Sequence, residues 1–390
     1  MNNSLNINEE VINKLIAKYD NQEFEDIINE TKILLKKFPD SFMLWKIMGS
    51  ANLSLKHLKE AEISFINAIK LNENDHNLFC NLGVVQKEQG RLDEAIKSYL
   101  KATRIKPDDP NTYFNLGNVL KDKGSLEEAI KCYNTAVKFK PNFYYAYNNL
   151  GNALKDFGNS DRAIDALLKA ISLKPDYTQA FNNIGVIYRE IGEFEKAKNA
   201  FFNAIKQEPT HSNSHFNLGK LFEVTGELDK AVDSYTKAYK IDSKFSEAYV
   251  SRLHLLANMA DFKAFTEFDK VKDKIGIKGQ CITPFSLLFA EDNPLNQHLR
   301  SINYAKKTFD KAKLKNVKPK RINSKRISIA YFSADFHDHP VSYLLSRVLE
   351  LHDRDHFEIH AFSYGIGKND YMRSRIIKSV DFFHDVRNVD

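Results

Sequence analysis

The sequence predicts a mostly α-helical protein in which a superhelix of stacked helical hairpins precedes the start of a parallel α/β sheet. One observation behind this prediction is that glycine, alanine and aromatic residues recur at a constant interval over positions 42–245. The other is a change of pattern after residue 326, where short β-branched and aromatic runs alternate with amphipathic segments. Such alternation is typical of parallel strands joined by crossover helices.

The 34-residue period is carried by rows of small and large residues. Ala61 and Ala68 each begin a row of alanines, and Phe65 begins a row of large, mostly aromatic side chains. The glycine row consists of Gly49, Gly83, Gly117, Gly151, Gly185 and Gly219. We expect small residues where two helices cross closely, because a longer side chain would hold the helices apart. We expect the aromatic row to fill the gaps between neighbouring hairpins.

Glycine and proline mark where the helices of each repeat end. A second glycine row lies between the paired helices, at a position that favours a left-handed C-cap: Gly90, Gly124, Gly158, Gly192 and Gly226. Prolines close four of the units: Pro107, Pro141, Pro175 and Pro209. The period, order and residue types are those of the tetratricopeptide repeat. We assign a superhelix to residues 1–279, with six clear repeats in 42–245.

Residues 8–41 and 246–279 keep the period only loosely. We interpret them as degenerate repeats, because each end of a stack needs a unit with one solvated face. Residues 280–325 are predicted to hold a connecting helix, from Gln297 to Lys315, and a basic linker over 316–325. We interpret that linker as a solvated domain junction.

Residues 326–390 are predicted to form part of a Rossmann-like domain. The predicted elements, in order, are a strand at Ile327–Phe332, a helix at Val341–His352, a strand at Phe357–Tyr364, a helix at Tyr371–Ser379 and a strand at Val380–Val386. Strand, helix and strand in this order open a parallel, doubly wound sheet. This segment corresponds to half of a nucleotide-binding domain at most.

Composition restricts the partners and the compartment. The formal net charge of +6 is spread over 390 residues, so we predict no nucleic-acid partner. The three cysteines lack metal or redox spacing, and Cys80 and Cys132, which fall on repeat helices, are interpreted as reduced thiols that are buried or half-buried. No apolar run approaches the roughly 20 residues that a membrane span needs, and the polar amino terminus is unlike a signal peptide. We therefore predict a cytoplasmic protein without a membrane partner.

Asparagine occupies one phase of the repeat in five consecutive units, namely Asn81, Asn115, Asn149, Asn183 and Asn217. Because repeats are related by a fixed rotation and translation, these amides should form a line, which we expect on the concave face. Each amide has a donor and an acceptor, so the line could hold the backbone of an extended peptide. Alternatively, asparagine simply suits this position by bonding to a neighbouring helix.

The loop after the first predicted strand, residues 333–340, is the second candidate site. In open α/β sheets, ligands bind beyond the carboxyl ends of the strands, and this loop leads into a helix amino terminus. A histidine there can act as acid, base or hydrogen-bond donor near neutral pH. His337 and His339 lie near Asp335 and Asp338, but nothing nearby completes a coordination set, so we predict no metal. A Gly-x-Gly at 365–367 is only a weak phosphate-binding signal.

Tetratricopeptide repeats with an asparagine row, followed by a strand and Ser-x-Asp-Phe-x-x-His-Pro at 333–340, resemble the O-linked N-acetylglucosamine transferase family. The runs that follow are similar to the bacterial members: Val341-Ser342-Tyr343-Leu344, His352-Asp353-Arg354, Phe357-Glu358 and Ala361-Phe362-Ser363-Tyr364-Gly365. The animal enzymes carry Thr and His where this chain has Val341 and Tyr343.

This resemblance implies transfer of N-acetylglucosamine from UDP-N-acetylglucosamine to Ser or Thr of proteins, without metal or cofactor, in a GT-B-type catalytic region of two Rossmann-like domains. His339 matches the family's catalytic histidine, and the asparagine row matches its acceptor-peptide ladder. The family's nucleotide-sugar-binding residues cannot be assigned to positions of this sequence. On this resemblance the chain stops early in the catalytic region, so we expect it to be inactive alone. The alternative is a non-catalytic repeat scaffold that binds peptides or protein partners.

Overall fold

The computed structural model describes residues 7–278, 281–287, 290–291, 293–309, 326–364 and 370–386. The chain divides into two compact units, Met1–Lys311 and Ala312–Asp390. The predicted basic linker at 316–325 and the Gly-x-Gly at 365–367 lie outside the described residues, as do residues 1–6 and 387–390. Within the described ranges, no helix combines the length and the apolar character that a bilayer crossing needs.

The first unit is a series of helical hairpins with the predicted period. Its repeat helices are α1 (Glu9–Asp20), α2 (Phe24–Lys37), α3 (Phe42–Ser54), α4 (Leu58–Leu71), α5 (His76–Glu88), α6 (Leu92–Ile105), α7 (Pro110–Lys123), α8 (Leu126–Phe139), α9 (Tyr144–Asp156), α10 (Ser160–Leu173), α11 (Thr178–Glu190), α12 (Phe194–Gln207), α13 (Ser212–Val224), α14 (Leu228–Ile241), α15 (Ser246–Asn258) and α16 (Lys263–Asp269). From α3 to α15, every first helix begins one full period after the previous one, so the predicted superhelix of repeats is confirmed.

Each clear hairpin is closed by a ring or branched side chain that lies against its glycine. A Cβ placed on Gly117 would lie 2.7 Å from Cε1 of Tyr133, and one on Gly185 would lie 2.6 Å from Cε1 of Phe201. The expected filling of gaps between neighbouring hairpins is therefore only part of the arrangement. Each large side chain first packs inside its own hairpin, while Phe65 also shares a buried cluster with residues of the next repeat.

The first helices of successive repeats contact one another more extensively than the second helices do, in an unbroken series from α3 to α13. A stack whose first helices approach most closely curves toward them. The first helices therefore lie on the concave side of the superhelix, and the second helices lie on its convex side.

The chain continues from the repeats into a short 3-10 helix (Pro284–Leu287) and α17 (Pro294–Phe309). Arg300 of α17 is completely buried and paired with Glu291. Its guanidinium also donates to the carbonyl oxygens of Lys272 at 2.7 Å and Ile275 at 3.0 Å. This one side chain ties α17 to the segment that follows α16.

The three cysteines are unpaired and half-buried, as the sequence predicts for Cys80 and Cys132. The Cys80 Sγ lies 3.0 Å from the Thr112 Oγ1. Burial raises the pKa of Cys132 to about 11, so its thiol is protonated and unreactive near neutral pH.

The second unit contains a parallel sheet with the order β1-β2-β3 and two helices. Its elements are β1 (Ile327–Ser333), α18 (Pro340–Leu351), β2 (Phe357–Ser363), α19 (Tyr371–Lys378) and β3 (Phe382–Asp385). Ile327 pairs with Phe357 and Ser333 with Ser363. The predicted element order is confirmed, with ends that differ by one or two residues. β3 begins at Phe382 rather than Val380, because the Asp381 carboxylate instead accepts the Ile359 N–H at 2.7 Å.

A stability prediction follows from the residue in the left-handed conformation just after the first helix of each repeat. The glycine row from Gly90 to Gly226 has φ between 78° and 91°, as predicted, while Gln22, Lys56 and Ala260 take φ of 63°, 61° and 58° at the same phase. A residue with a Cβ is disfavoured in this left-handed region by roughly 1 kcal/mol.

We therefore expect Ala260→Gly to stabilise the repeats by about 1 kcal/mol. Gly226→Ala, at the same phase one repeat earlier, should destabilise them by a similar amount. A Cβ on Gly226 would meet nothing within 4 Å, so only backbone strain changes there. Urea unfolding followed by circular dichroism measures both variants. Midpoints that move in the same direction would contradict the explanation.

Candidate acceptor row and histidine loop

The predicted asparagine row lies on the first helices of five successive repeats. Asn81 belongs to α5 and Asn217 to α13, with the other three on α7, α9 and α11. All five side chains are partly buried. The row therefore belongs to the helices that form the concave side, and each amide lies at the boundary between the packed interior and solvent.

Three members of the row are hydrogen-bonded to the preceding repeat. The bonds join Asn149 Nδ2 to Asn118 Oδ1 at 2.8 Å, Asn183 Nδ2 to Asn148 Oδ1 at 2.9 Å, and Asn217 Nδ2 to Asn182 Oδ1 at 3.0 Å. Asn148 and Asn182 are themselves buried. The row thus makes the bonds to neighbouring helices that the alternative interpretation expects.

These bonds do not exhaust the row. A carboxamide has two N–H donors and a carbonyl oxygen with two lone pairs, so one bond through Nδ2 leaves each of these amides a second donor. The Asn149 oxygen also accepts from Asn148 Nδ2 at 3.2 Å, which leaves it one lone pair. Within the described part of the chain, the structure gives Asn81 and Asn115 no side-chain hydrogen bond. The row therefore has two kinds of member, three amides oriented by the previous repeat and two that are not.

His339 is the N-cap residue of α18, beyond the carboxyl end of β1. Its Nδ1 accepts a hydrogen bond from the Val341 N–H at 3.3 Å and lies 3.8 Å from Oδ2 of Asp335. The side chain is 39% exposed. With Nδ1 as the acceptor, the neutral ring carries its proton on Nε2, which can donate to an oxygen atom of a ligand.

The loop around His339 is held by two residues that follow β2, Asp370 and Arg373. Asp370 accepts the Asp338 N–H and the Arg373 N–H, both at 2.8 Å. These two backbone donors hold the pKa of the Asp370 carboxyl below its usual value. The carboxylate therefore stays charged at neutral pH and joins the histidine loop to the start of α19.

Arg373 is a buried cation at the carboxyl ends of all three strands. It donates to the Phe336 carbonyl at 3.2 Å, to Ser363 Oγ at 3.0 Å and to Asp385 Oδ2 at 2.9 Å. Its guanidinium also lies 4.8 Å from the centre of the Phe383 ring. Arg373 thereby fixes the strand ends and the loop that carries His339.

Neither a metal site nor a cleft of the second unit adds residues to the site around His339. Within the described residues, no group of three or more His, Cys, Asp or Glu side chains is placed to hold a metal ion. A cleft of about 510 Å³ is lined by Glu350, Arg354, Tyr371, Arg375, Lys378 and Ser379. Most of these residues lie near the carboxyl ends of α18 and α19, at the opposite end of the sheet from His339.

The matches to known families fall in two parts of the chain, the repeats and the carboxyl-terminal segment. Residues 87–124 and 117–158 match the TPR repeat, residues 144–177 and 182–244 match the tetratricopeptide repeat, and residues 297–390 match glycosyl transferase family 41. The chain is a tetratricopeptide-repeat relative of the family 41 glycosyltransferases. The family 41 match begins inside α17, earlier than residue 326, where we expect the Rossmann-like domain to start.

Two curated relatives also resemble part of this chain. The chain is 36% identical over 62 residues to a probable UDP-N-acetylglucosamine–peptide N-acetylglucosaminyltransferase, SEC, from Arabidopsis thaliana. It is 28% identical over 67 residues to the UDP-N-acetylglucosamine–peptide N-acetylglucosaminyltransferase of Caenorhabditis elegans. The matches cover 16% and 17% of this chain but only 6% of each relative. The predicted relation to the O-linked N-acetylglucosamine transferases is confirmed.

Among solved structures, the Cut9–Hcn1 hetero-tetramer of APC/C contains a chain that resembles this one with a TM-score of 0.50 and 17% identity. The alignment covers 62% of this chain and 48% of that one. At this identity the likeness supports the repeat fold alone.

The sequence singles out the asparagine row and His339 as candidates, but not the residues that orient them. Asn148 and Asn182 lie exactly one repeat apart, so a second, shorter asparagine row was visible in the sequence. Arg373 and Asp370 gave no comparable signal, because their partners lie on other strands and loops.

The position of Arg373 generates a prediction. We expect Arg373→Met to destabilise the second unit by about 2 kcal/mol, because buried hydrogen bonds are lost. The loss falls below that of a fully buried ion pair, since the Asp385 side chain is 35% exposed and can be hydrated. Hydrogen exchange of the Ile359 and Ala361 amides measures the opening free energy of the sheet.

The control for this variant is Arg347→Met, which removes an ion pair with Glu350 whose arginine is 69% exposed. Such a surface pair contributes little to stability, because water and salt screen its charges. Equal exchange rates in the two variants would show that Arg373 does not hold the strand ends together.

Proposed function

We propose that this protein acts in protein O-glycosylation, with transfer of N-acetylglucosamine from UDP-N-acetylglucosamine to Ser or Thr of proteins that its repeats bind. The observation that carries the proposal is that one chain joins the asparagine row to a family 41 region in which His339 stands beyond β1. The named activity of both curated relatives supports the same reaction.

The asparagine row supplies the acceptor-binding part of this proposal. An extended peptide presents alternating N–H and C=O groups, and a carboxamide can pair with both. Asn149, Asn183 and Asn217 are oriented by the previous repeat before a peptide arrives. Less conformational entropy is then lost on binding. Because the row contacts only main-chain groups, it suits many acceptor sequences.

His339 supplies a hydrogen-bonding group for the transfer. In the reaction, the acceptor hydroxyl oxygen forms a bond to the anomeric carbon, the bond from that carbon to the UDP oxygen breaks, and the hydroxyl proton leaves. With Nδ1 accepting from Val341, Nε2–H of His339 donates to an oxygen of the reacting groups. If Nδ1 instead carries the proton, next to Asp335, Nε2 becomes an acceptor for the hydroxyl proton.

A non-catalytic repeat scaffold is the alternative function. Such a scaffold would also bind peptides along the asparagine row, but it would not need His339. Two experiments, one on each site, separate these functions.

The first experiment compares two members of the asparagine row. Asn115→Ala should weaken binding of an extended Ser/Thr peptide about fivefold, the effect of one hydrogen bond, without lowering thermal stability. Asn183→Ala should weaken binding similarly and also destabilise the repeats by about 1–3 kcal/mol, because the buried Asn148 carbonyl loses its donor. Fluorescence anisotropy and thermal melting give the two quantities.

Unchanged peptide affinity in both variants, together with the stability loss in Asn183→Ala alone, would contradict a peptide-binding role. The row would then only join neighbouring helices. Asn134→Ala, on the second helix α8, is the control that should change neither quantity much.

The second experiment tests His339 in a protein that holds the whole family 41 region. His339→Ala should lower transfer from UDP-N-acetylglucosamine to a Ser/Thr peptide by at least about 100-fold, the typical contribution of a positioned proton-transfer group. Peptide affinity should not change. Glycopeptide is measured by mass spectrometry, with His337→Ala as the control in the same loop. Full activity of His339→Ala would remove this residue from the mechanism.

A further inference from the structure

A tyrosine cluster at the start of α9 is the feature of the repeats that the asparagine row does not explain. The ring centres of Tyr144 and Tyr145 are 4.1 Å apart, and Tyr177 meets Tyr145 edge-on at 5.7 Å. Tyr177 is buried, whereas Tyr145 is 46% exposed. The cluster therefore holds Tyr145 in place from one side and leaves much of its ring open to solvent.

The last repeat shows which side of the first helix Tyr145 lies on. In α15, Glu247, Val250, Ser251 and His254 line a single cleft of about 520 Å³. Ser251 is one repeat after Asn217, in the phase of the asparagine row, and Glu247 is three repeats after Tyr145. By the repeat symmetry, Tyr145 lies on the same side of its helix as Asn149, one turn earlier.

A contact between repeats places Tyr145 beside the row as well. The Lys220 ammonium lies 3.2 Å from Oε1 of Glu247 across the boundary between two repeats. The residues at these two phases three repeats earlier are Asn118 and Tyr145. Asn118 is also the acceptor that orients Asn149. Tyr145 therefore adjoins the first of the preoriented amides.

Tyr145 is an exception among the residues at its phase. Met43 occupies this phase in the first clear repeat. The corresponding residues of the five other units over 76–279 are exposed and polar, namely Asn77, Asn111, Gln179, Asn213 and Glu247. A polar side chain at this phase can only add hydrogen bonds to those of the row. An exposed ring held by two other rings offers a flat apolar surface instead.

Charges of both signs lie near the cluster. The Lys174 ammonium lies 5.2 Å from the centre of the Tyr144 ring and 5.7 Å from that of Tyr177. The Asp176 carboxylate also interacts electrostatically with Tyr144. An uncharged ring side chain can pack on the open face of Tyr145 without having to match either charge.

We propose that Tyr145 forms a subsite for a ring side chain, proline or aromatic, of an extended peptide that lies along the asparagine row. This inference rests on the proposed peptide-binding function and adds a preference in acceptor sequence to it. The row holds the peptide main chain at many sequences, and Tyr145 selects peptides that carry a ring at one register.

The test uses the full chain and alanine-rich Ser/Thr peptides in which one position at a time is Ala, Pro or Phe. The natural chain should bind the best ring-bearing peptide roughly two- to tenfold more tightly than the alanine peptide, the range of one aromatic contact. Tyr145→Asn, the residue type at 77, 111 and 213, should abolish this preference, so that the ring-bearing and alanine peptides bind this variant with equal affinity. Gln179→Asn, at the same phase one repeat later, should keep the preference. Fluorescence anisotropy measures affinity, and thermal melting verifies that each variant folds.

The possible results separate this inference from the proposed function. Peptides that bind in an Asn115-dependent manner without a ring preference would overturn the Tyr145 subsite alone. A ring preference that survives Tyr145→Asn would also overturn it. Failure of every peptide to bind the natural chain would overturn both proposals.

Discussion

The close contact between a glycine and the side chain opposite it is the constraint on which the rest of the repeat region depends. In each clear hairpin, a Cβ on the first-helix glycine would lie 2.6–2.8 Å from a side-chain atom of the second helix. Any larger residue would force the helices apart and change their crossing angle. Because every clear unit keeps the same contact and the same length, residues at one phase recur at the same place on each hairpin and form rows.

Because of this regularity, a residue that recurs in each repeat forms part of a continuous row. Asn149, Asn183 and Asn217 each donate to an asparagine of the preceding unit, at 2.8–3.0 Å. The amides are thus oriented by packing between repeats rather than by a ligand. Tyr145 and Ser251 differ from the residue types usual at their phases. They therefore change the chemistry of a row without changing its geometry.

Features that repeat along the chain could be predicted from the sequence. The left-handed C-caps were predicted from the second glycine row, and the order of strands and helices along the chain was predicted from the alternating runs after residue 326. The partners of single side chains could not be predicted, because they depend on residues distant in the chain. Arg373 joins the Phe336 carbonyl, Ser363 and Asp385, and no local pattern distinguishes it from a surface arginine. The asparagine phase was predictable, but its bonds to Asn118, Asn148 and Asn182 required the packed repeats.

The central claim is that the concave row of amides holds the main chain of an acceptor. A crystal structure of the chain with an extended Ser/Thr peptide tests it most directly. We expect peptide N–H and C=O groups within hydrogen-bond distance, roughly 2.7–3.2 Å, of the Asn115, Asn149 and Asn183 side chains, with the bonds between repeats intact. A peptide bound to the second helices, or one that contacts the first helices only through its side chains, would contradict the claim.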